Sequence, residues 1–329
     1  MSQLWEPSKK RAVDSRLLEF ASTAEPLFNI ELLDYDSIHE WSTDSPEEFW
    51  RHAWSYLGLI GDMGDNVLAR GGNLQDTVFF PNATINIGEN LLKKSDQTKA
   101  IIWVDEIGNT SELTWGELND QVSLLQQALL DLGVEKGDCV AAWLPNRPET
   151  ISVMIAAASI GAVFTSTSPD FGVKGLLDRF TQVEPKVLFV TDGYFYGGKW
   201  FSCLEKLGDI ESGLPSVRET IVVPYPSHEN SSIDSSRGLW EDFLKPFSPK
   251  PIWYPRHSFN HPWYVLYSSG TTGKPKCILH RSGGVLLKHL VEHGLQCDVK
   301  PGDRVFYYTT TGWMMWNWLV SALASEATV

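Results

Sequence analysis

Short apolar segments alternate with segments of helical period from about residue 99 to the end of the chain, and this alternation restricts the fold more than any other feature. Parallel strands need a crossover of a dozen residues or more to return to the same end of a sheet, and a helix is the usual crossover. The pattern therefore predicts an α/β fold with layered, mostly parallel sheets and helices on both faces.

Turn and cap signals mark several of these segments. Gly108 and Asn109 separate two β-type runs, which predicts a hairpin. Thr114 and Glu117 have the spacing of a capping box, and Gly133 stands where a left-handed cap would end the helix that follows. The predicted strands are 101–104, 111–114, 139–144, 162–165, 187–190, 219–223, 263–267 and 304–308, and further helices are predicted at 148–161, 173–183, 284–295 and 316–324.

Three other stretches complete the predicted organisation. Residues 1–95 are irregular and rich in aromatic and acidic side chains, and we interpret them as an ordered extension that packs on a domain formed by residues 96–329. The serine- and proline-rich stretch 224–251 predicts a long surface excursion. Residues 327–329 look like the first residues of another buried strand.

Composition excludes several classes of protein. The 329 residues include 27 Lys plus Arg and 41 Asp plus Glu, so the formal net charge is −14, while 43% of the residues are hydrophobic and 21% are charged. A chain of this composition is not disordered as a whole. The acidic balance argues against a general nucleic-acid binder and against attachment to anionic lipid by charge. A polyanionic ligand would need a local basic pocket.

Cysteine spacing and hydropathy indicate the compartment. The four cysteines, Cys139, Cys203, Cys277 and Cys297, lie too far apart in sequence for a CxxC site and are too few for a disulfide framework. The N-terminus lacks the apolar stretch of a secretory signal, and the longest apolar-rich run, 153–164, is too short to span a bilayer. We therefore predict a cytosolic protein without a membrane span; the sequence does not indicate an oligomeric state.

The segment YVLYSSGTTGKPK at 264–276 is the strongest chemical signal. A β-type run leads into serines, threonines, glycines and lysines, and between Ser268 and Val291 the chain has four basic residues and no acidic one. Glycines let backbone amides approach phosphate oxygens, hydroxyls add donors, and lysines supply charge. The loop therefore predicts a polyphosphate site rather than an ordinary solvated turn. It is not a Walker A loop, because Ser268 stands where that motif has its first glycine.

Two further segments give weaker indications of ligand binding. Residues 193–199 satisfy G-x-x-x-x-G-K, but Trp200 follows where Walker A has Ser or Thr, so we expect at most a phosphate contact from Gly197, Gly198 and Lys199, or a plain loop. In residues 307–318, hydroxyl side chains at the end of a predicted strand are followed by Trp313, Met314 and Met315. Such a segment is typical either of a small acyl pocket or of core packing. No metal-binding cluster is predicted.

These segments together resemble the adenylate-forming enzymes of the acyl-CoA synthetase superfamily. The phosphate loop SSGTTGKPK after WYVLY carries the resemblance, and three further segments narrow it to the acetoacetyl-CoA synthetase family. They are FFPNATINIGENLL at 79–92, STSPDFGVKGLLDRFTQVEPKVLFV at 166–190 and TTTGWMMWNWLVSAL at 309–323.

The resemblance implies a two-step ligation. Acetoacetate attacks the α-phosphate of ATP, with Mg²⁺ assisting, to give acetoacetyl-adenylate and pyrophosphate; the thiol of CoA then displaces AMP. The family's pattern implies that Thr271, Thr272 and Lys274 act in catalysis and that the β- and γ-phosphates are held by Ser268, Ser269, Gly270, Thr271, Thr272, Gly273 and Lys274. It further implies that Trp313, Met314 and Met315 line the acyl pocket. Gly197, Gly198 and Lys199 match a CoA-nucleotide segment, although Tyr196 stands where that segment has Arg.

The resemblance covers only part of the length of the family's proteins. Members of the family continue for about as many residues again, through the magnesium carboxylate, the ribose-binding Asp and a small C-terminal domain with the adenylation lysine. The sequence therefore resembles the N-terminal half only, and we expect little or no turnover from 329 residues alone. A non-catalytic nucleotide-binding chain, or a ligase for another short-chain acid, remain as alternatives.

Overall fold

The computed structural model describes residues 5–226, 238–268 and 273–329. The helices are α1 (Lys9–Val13), α2 (Arg16–Phe28), α3 (Tyr35–Asp44), α4 (Pro46–Tyr56), α5 (Ile87–Leu91), α6 (Trp115–Asp131), α7 (Pro148–Ile160), α8 (Val173–Phe180), α9 (Leu204–Gly213), α10 (Trp240–Leu244), α11 (Ser282–Val291) and α12 (Met314–Val320). Helical turns of 3₁₀ type lie at Leu74–Asp76 and Ser321–Ser325, and a π-type turn extends α11 over Glu292–Gln296.

The strands are β1 (Gly61–Asp62), β2 (Leu68–Ala69), β3 (Val78–Phe79), β4 (Thr84–Ile85), β5 (Lys99–Val104), β6 (Thr110–Thr114), β7 (Cys139–Trp143), β8 (Val163–Thr167), β9 (Val187–Thr191), β10 (Gly193–Tyr196), β11 (Lys199–Ser202), β12 (Glu219–Val223), β13 (Gly238–Leu239), β14 (His257–Ser258), β15 (Pro262–Ser268) and β16 (Lys276–Arg281). Seven of them form the main sheet in the order β13-β12-β9-β7-β8-β15-β16. All neighbouring pairs in this sheet are parallel except β15 and β16. The predicted α/β class is therefore confirmed.

Helices cover both faces of the main sheet, and the strands alternate accordingly. In β7, Val140 and Ala142 join one apolar cluster while Ala141 and Trp143 join another. The first cluster includes the inward faces of α6 and α7, and the second includes those of α8 and α9. Because successive side chains of a strand point to opposite faces, a continuous apolar run is what a doubly covered strand requires.

The N-terminal extension shares its core with the main sheet. The ring of Trp54 in α4 lies 5.7 Å from that of Phe259, just before β15, and the Phe80 ring lies 4.8 Å from the same Phe259. The backbone amide of Arg16 donates to the Asp298 carboxylate at 2.8 Å, which ties α2 to the segment after α11. The extension therefore packs on the rest of the chain; a domain boundary at residue 95 stays a prediction.

Three expectations about secondary structure were wrong in detail. The excursion 224–251 contains β13, which extends the edge of the main sheet, and α10. The phosphate-loop segment leads into an antiparallel strand, β16, before the helix that we predicted to follow it. The predicted strand 304–308 is extended but forms a single bridge, from Arg304 to Thr328. A strand needs a partner along its length, and among the described residues this segment bonds to Thr328 only at its start, through the bridge of Arg304 and the amide of Val305.

Residues 327–329 lie between β5 and the segment 305–309. Val329 donates to the Ala100 carbonyl and accepts from the Ile102 amide, both at 2.9 Å, while Thr328 accepts from the Val305 amide at 2.8 Å. A cavity of about 340 Å³ separates β5 from 305–309 beyond this point. We call this cavity the strand slot, because β5 and 305–309 face each other across it. Within the described residues, no helix is long and apolar enough to cross a membrane.

Candidate active site

Six strands of the main sheet end at one edge, because β7, β8, β9, β12, β13 and β15 are parallel. The carboxyl edge of an open α/β sheet is where ligand crevices form. Two buried polar atoms at this edge, Trp143 Nε1 and Thr167 Oγ1, have no hydrogen-bond partner within the described residues. The two residues are opposite each other on β7 and β8. Polar atoms without partners at such an edge are typical of a ligand-binding surface.

The predicted phosphate loop connects β15 to β16. Ser268 and Lys276 are the last paired residues of the hairpin, so both ends of the loop lie at the carboxyl edge. Gly273 has φ of +131°, a conformation that only glycine adopts readily. The base of the loop is anchored where Gln182 Nε2 donates to the Pro275 carbonyl at 2.9 Å. Ser269, Gly270, Thr271 and Thr272 lie outside the described residues, and their roles stay predictions.

Positive charge flanks this loop. Lys274 and Lys276 are exposed, and within the described part of the chain neither forms an ion pair, whereas Arg281 lies at the far end of β16, opposite Pro262. Lys288, in contrast, pairs with Glu292 at 2.9 Å. Two uncompensated cations beside the loop, in a chain of net charge −14, form a local attractive field for an anion. The structure is therefore compatible with the predicted polyphosphate site at Ser268, Gly273 and Lys274.

The aromatic segment predicted to shape an acyl pocket crosses the same edge. Thr311 is fully buried; its hydroxyl donates to the Leu144 carbonyl at 2.8 Å, and its own carbonyl accepts from Ser166 Oγ at 2.5 Å. Gly312 then passes over Ser168 and Phe171, where a Cβ would meet ring and backbone atoms at 3.4 and 3.5 Å. The segment is therefore held against the ends of β7 and β8.

The three proposed pocket residues follow this anchor at the start of α12. Trp313 is 67% exposed and Met314 is 42% exposed, while Met315 is half-buried. Trp316, the next aromatic residue of the same segment, is fully buried and donates from Nε1 to Asn146 Oδ1 at 2.8 Å. In this chain Trp313 and Met314 thus form an open wall rather than an enclosed pocket, and their role stays a prediction.

An aromatic stack borders the phosphate loop. The guanidinium of Arg179 lies 4.4 Å from the Phe171 ring and 5.8 Å from the Tyr267 ring. Tyr267 OH lies 3.0 Å from the hydroxyl of Thr165. Burial raises the pKa of Tyr267 far above its ordinary value, so this hydroxyl stays protonated and is available only for hydrogen bonding. The stack connects residues 309–318, which we call the acyl-side segment, to the end of β15.

Sequence reasoning missed a buried polar network at the ends of β7, β9 and β12. Arg147 donates to the Pro224 carbonyl at 2.9 Å and pairs with Glu149 at 2.7 Å. Asp192 accepts from the backbone amide of Tyr225 at 2.8 Å. These residues are remote in sequence and have no motif, so only the sheet order brings them together. They hold the carboxyl ends of β7, β9 and β12 together, on the side of the sheet away from β15.

The second glycine segment is the tip of a hairpin and not a strand–loop–helix unit. Gly197 and Gly198 have φ of +58° and +72° and form the two-residue turn between β10 and β11. The Gly198 amide donates to Glu106 Oε1 at 2.7 Å, and a Cβ on either glycine would meet no atom within 4 Å. A strand follows the turn, so this segment does not have the strand–loop–helix geometry of a Walker A loop. The hairpin tip already binds one carboxylate, and a phosphate contact there stays a prediction.

Two pairs of histidines are the candidates for a metal centre, and His257 and His261 lie beside Gly161, before the start of β8. His257 and His261 stack with ring centroids 4.8 Å apart, and His289 and His293 lie 6.4 Å apart. Both pairs have H-x-x-x-H spacing, so the sequence-based prediction that the eight histidines form no such pair is wrong. Across the ranges that the structure describes, no three His, Cys, Asp or Glu side chains are grouped to hold a metal ion.

Comparisons with known proteins agree with this geometry. A family model described as AMP-binding enzyme matches residues 89–329. The chain is 43% identical to the acetoacetyl-coenzyme A synthetase of Rhizobium meliloti (strain 1021) over 99% of its own length and 50% of that protein. It is 39% identical to the acetoacetyl-CoA synthetase of Gallus gallus, again over 99% of this chain and 50% of the relative.

A solved structure gives the same result in three dimensions. The acetoacetyl-CoA synthetase from Streptomyces lividans superposes with a TM-score of 0.93 at 38% identity, over 100% of this chain and 51% of that one. The chain thus spans about half the length of the relatives it matches, and its fold is that of their N-terminal half. With a family model matching nearly three quarters of its residues, the chain belongs to the AMP-binding enzyme family.

Proposed function

We propose that the chain carries the phosphate-binding and acyl-side parts of an acetoacetate–CoA ligase. The reaction joins acetoacetate to CoA at the expense of ATP, through acetoacetyl-adenylate, and releases AMP and pyrophosphate. The similarity to acetoacetyl-CoA synthetases over 99% of the chain is the observation that carries this proposal. A cytosolic location remains a prediction of the sequence.

The first chemical step needs charge stabilisation more than proton transfer. A carboxylate oxygen of the acid attacks the α-phosphorus, and the bond from that phosphorus to the bridging oxygen of pyrophosphate breaks. Negative charge grows on the leaving β- and γ-phosphates, where preorganised amides, hydroxyls and ammonium groups lower the barrier. We assign that role to Ser268 through Lys274, with Thr271, Thr272 and Lys274 nearest the leaving group.

The second step transfers the acyl group to sulfur. The thiol of CoA attacks the acyl carbonyl, and the bond from that carbon to the AMP oxygen breaks. We assign the acid to the wall of Trp313, Met314 and Met315, and the CoA nucleotide to the Gly197-Gly198-Lys199 tip. Magnesium enters as the counter-ion of the ATP phosphates; the described residues contain no acidic cluster that would hold it independently.

Nucleotide binding by the 329-residue chain tests the phosphate assignment. Calorimetric titration with ATP and with AMP compares the wild type, Lys274→Ala and, as a charge-matched control, Lys288→Ala. A hydrogen bond to a charged group contributes about 1.5–3 kcal/mol, so Lys274→Ala should weaken ATP binding by about 10-fold or more and leave AMP binding nearly unchanged. Equal ATP affinity in Lys274→Ala and Lys288→Ala would refute the assignment.

Acid specificity is tested on the longest polypeptide that the gene encodes. AMP formation is measured with acetoacetate, acetate and propionate as alternative acids. The proposal requires the highest kcat/KM with acetoacetate. A preference for propionate or acetate would favour a ligase for another short acid, and ATP binding without AMP formation would favour a non-catalytic nucleotide-binding chain.

A further inference from the structure

A second polar cavity lies away from the carboxyl edge, between the N-terminal extension and the last turn of the chain. Its volume is about 300 Å³, and its lining includes Arg16, Tyr56, Lys93 and Glu326. Lys93 follows α5 and is half-buried at one end of this cavity. The size suffices for a small acyl group beside the lysine.

Lys93 is half-buried, and its amine has no carboxylate counter-ion among the described residues. Its Nζ donates to the Gly58 carbonyl at 2.8 Å, and no carboxylate of the described residues lies within 4.0 Å. The adjacent Lys94 has both a hydroxyl partner, Thr98 at 3.0 Å, and a carboxylate partner, Asp96 at 3.3 Å. Two neighbouring lysines therefore occupy opposite electrostatic environments.

Burial without a counter-ion favours the neutral amine. It lowers the pKa of Lys93 to about 8; Glu326 opposes this effect and Arg16 adds slightly to it. Tyr56 also faces the cavity, but burial raises its pKa to about 12, so it does not titrate near neutrality. At pH 7.5 about a quarter of Lys93 is neutral, against about 0.1% of a lysine with an ordinary pKa.

We propose that Lys93 is a site of covalent acylation by activated acyl groups, and that the cavity beside it admits the acyl group of the donor. The neutral Nζ attacks the carbonyl of an acyl thioester; a C–N bond forms, the C–S bond breaks, and the thiolate leaves and takes up the proton that the nitrogen loses. An acyl-adenylate reacts in the same way with AMP as the leaving group. The idea rests on the proposed function only for the source of the donor in the cell.

The test supplies the donor directly, so it is independent of ligase activity. The native 329-residue chain is incubated with acetyl-CoA between pH 6.5 and 9.5, then unfolded and cleaved after Glu89 and Glu106. One peptide, 90–106, carries Lys93, Lys94 and Lys99, and tandem mass spectrometry measures acetylation at each. A less basic amine is a weaker nucleophile, which offsets part of its larger neutral fraction.

We expect Lys93 to be acetylated at least 10-fold faster than Lys94 and Lys99 at pH 7.5, with a rate that levels off above pH 8. Unfolding the chain in urea before labelling should abolish this preference. The variant Glu326→Gln removes the carboxylate that favours the charged amine, and should increase the Lys93 rate at pH 7 while leaving Lys94 unchanged. Equal rates at the three lysines in the native chain would overturn the proposal, as would a Lys93 rate that keeps rising to pH 9.5.

Discussion

Replacing Thr311 by valine tests whether the acyl-side segment is anchored as the structure indicates. Valine has nearly the shape of threonine but lacks the hydroxyl, so the substitution removes the 2.8 Å hydrogen bond to the Leu144 carbonyl and little else. Thr311 is fully buried, and water therefore cannot replace the lost donor. An unsatisfied buried carbonyl costs about 1–3 kcal/mol.

That cost corresponds to a measurable thermal shift. At about 2.1 cal/mol/K per residue, the entropy of unfolding a chain of 329 residues is about 0.7 kcal/mol/K, so Tm should fall by about 1.5–4 °C. Urea unfolding followed by tryptophan fluorescence should give a lower midpoint at unchanged m-value. Hydrogen exchange should also accelerate in peptides that cover residues 309–318, because the anchor of that segment is lost.

Thr309→Val is the matched control for this experiment. Thr309 lies in the same segment but is half-buried, and its hydroxyl makes only a long contact of 3.4 Å with the neighbouring Thr310 carbonyl. We expect this variant to remain within about 0.5 kcal/mol of the wild type. If Thr311→Val were no less stable than Thr309→Val, the hydroxyl of Thr311 would not anchor the segment.

Two further predictions concern stability. Gly161→Ala should destabilise the fold by well over 1 kcal/mol, because φ is +87° and the new Cβ would lie 2.3 Å from the His257 ring. Gly133→Ala should cost only about 1 kcal/mol, because φ is +74° but open space surrounds the new Cβ. Similar urea midpoints for the two variants would contradict this prediction. Burial lowers the pKa of His289 to about 2. Between pH 7 and pH 5 the unfolded chain therefore binds a proton at this histidine that the folded chain does not bind. This difference should lower the free energy of unfolding by about 2 kcal/mol. His289→Gln should make that fall smaller; an unchanged pH dependence would contradict the assignment.

Local signals predicted most of the fold. The capping box of Thr114 and Glu117 forms as expected, and Gly133 and Gly161 have the positive φ values of helix ends. Strand β12 has the predicted bounds, because its apolar run is buried on both faces and its pattern is unambiguous. These elements were predictable since their signals lie within a few residues of one another.

Features that depend on distant partners were not predictable. Strand β16 is exposed along most of its length and lies at the edge of the sheet, so its sequence carries no core pattern. The network of Arg147 and Asp192 exists only because β7, β9 and β12 are neighbours. At the site, residue types indicated which segments reach the carboxyl edge, but not that Thr311 would be buried and Trp313 exposed.

The strand slot links two parts of the molecule that are otherwise separate. One wall is β5, whose opposite edge pairs with β6; the other wall is the segment 305–309, which leads directly to Thr311 and Trp313. Phe306 and Tyr308 on that wall are 83% and 87% exposed. Any strand seated between them would bond to both walls at once, so ordering of the aromatic segment and alignment of the acyl-side wall would become one cooperative event.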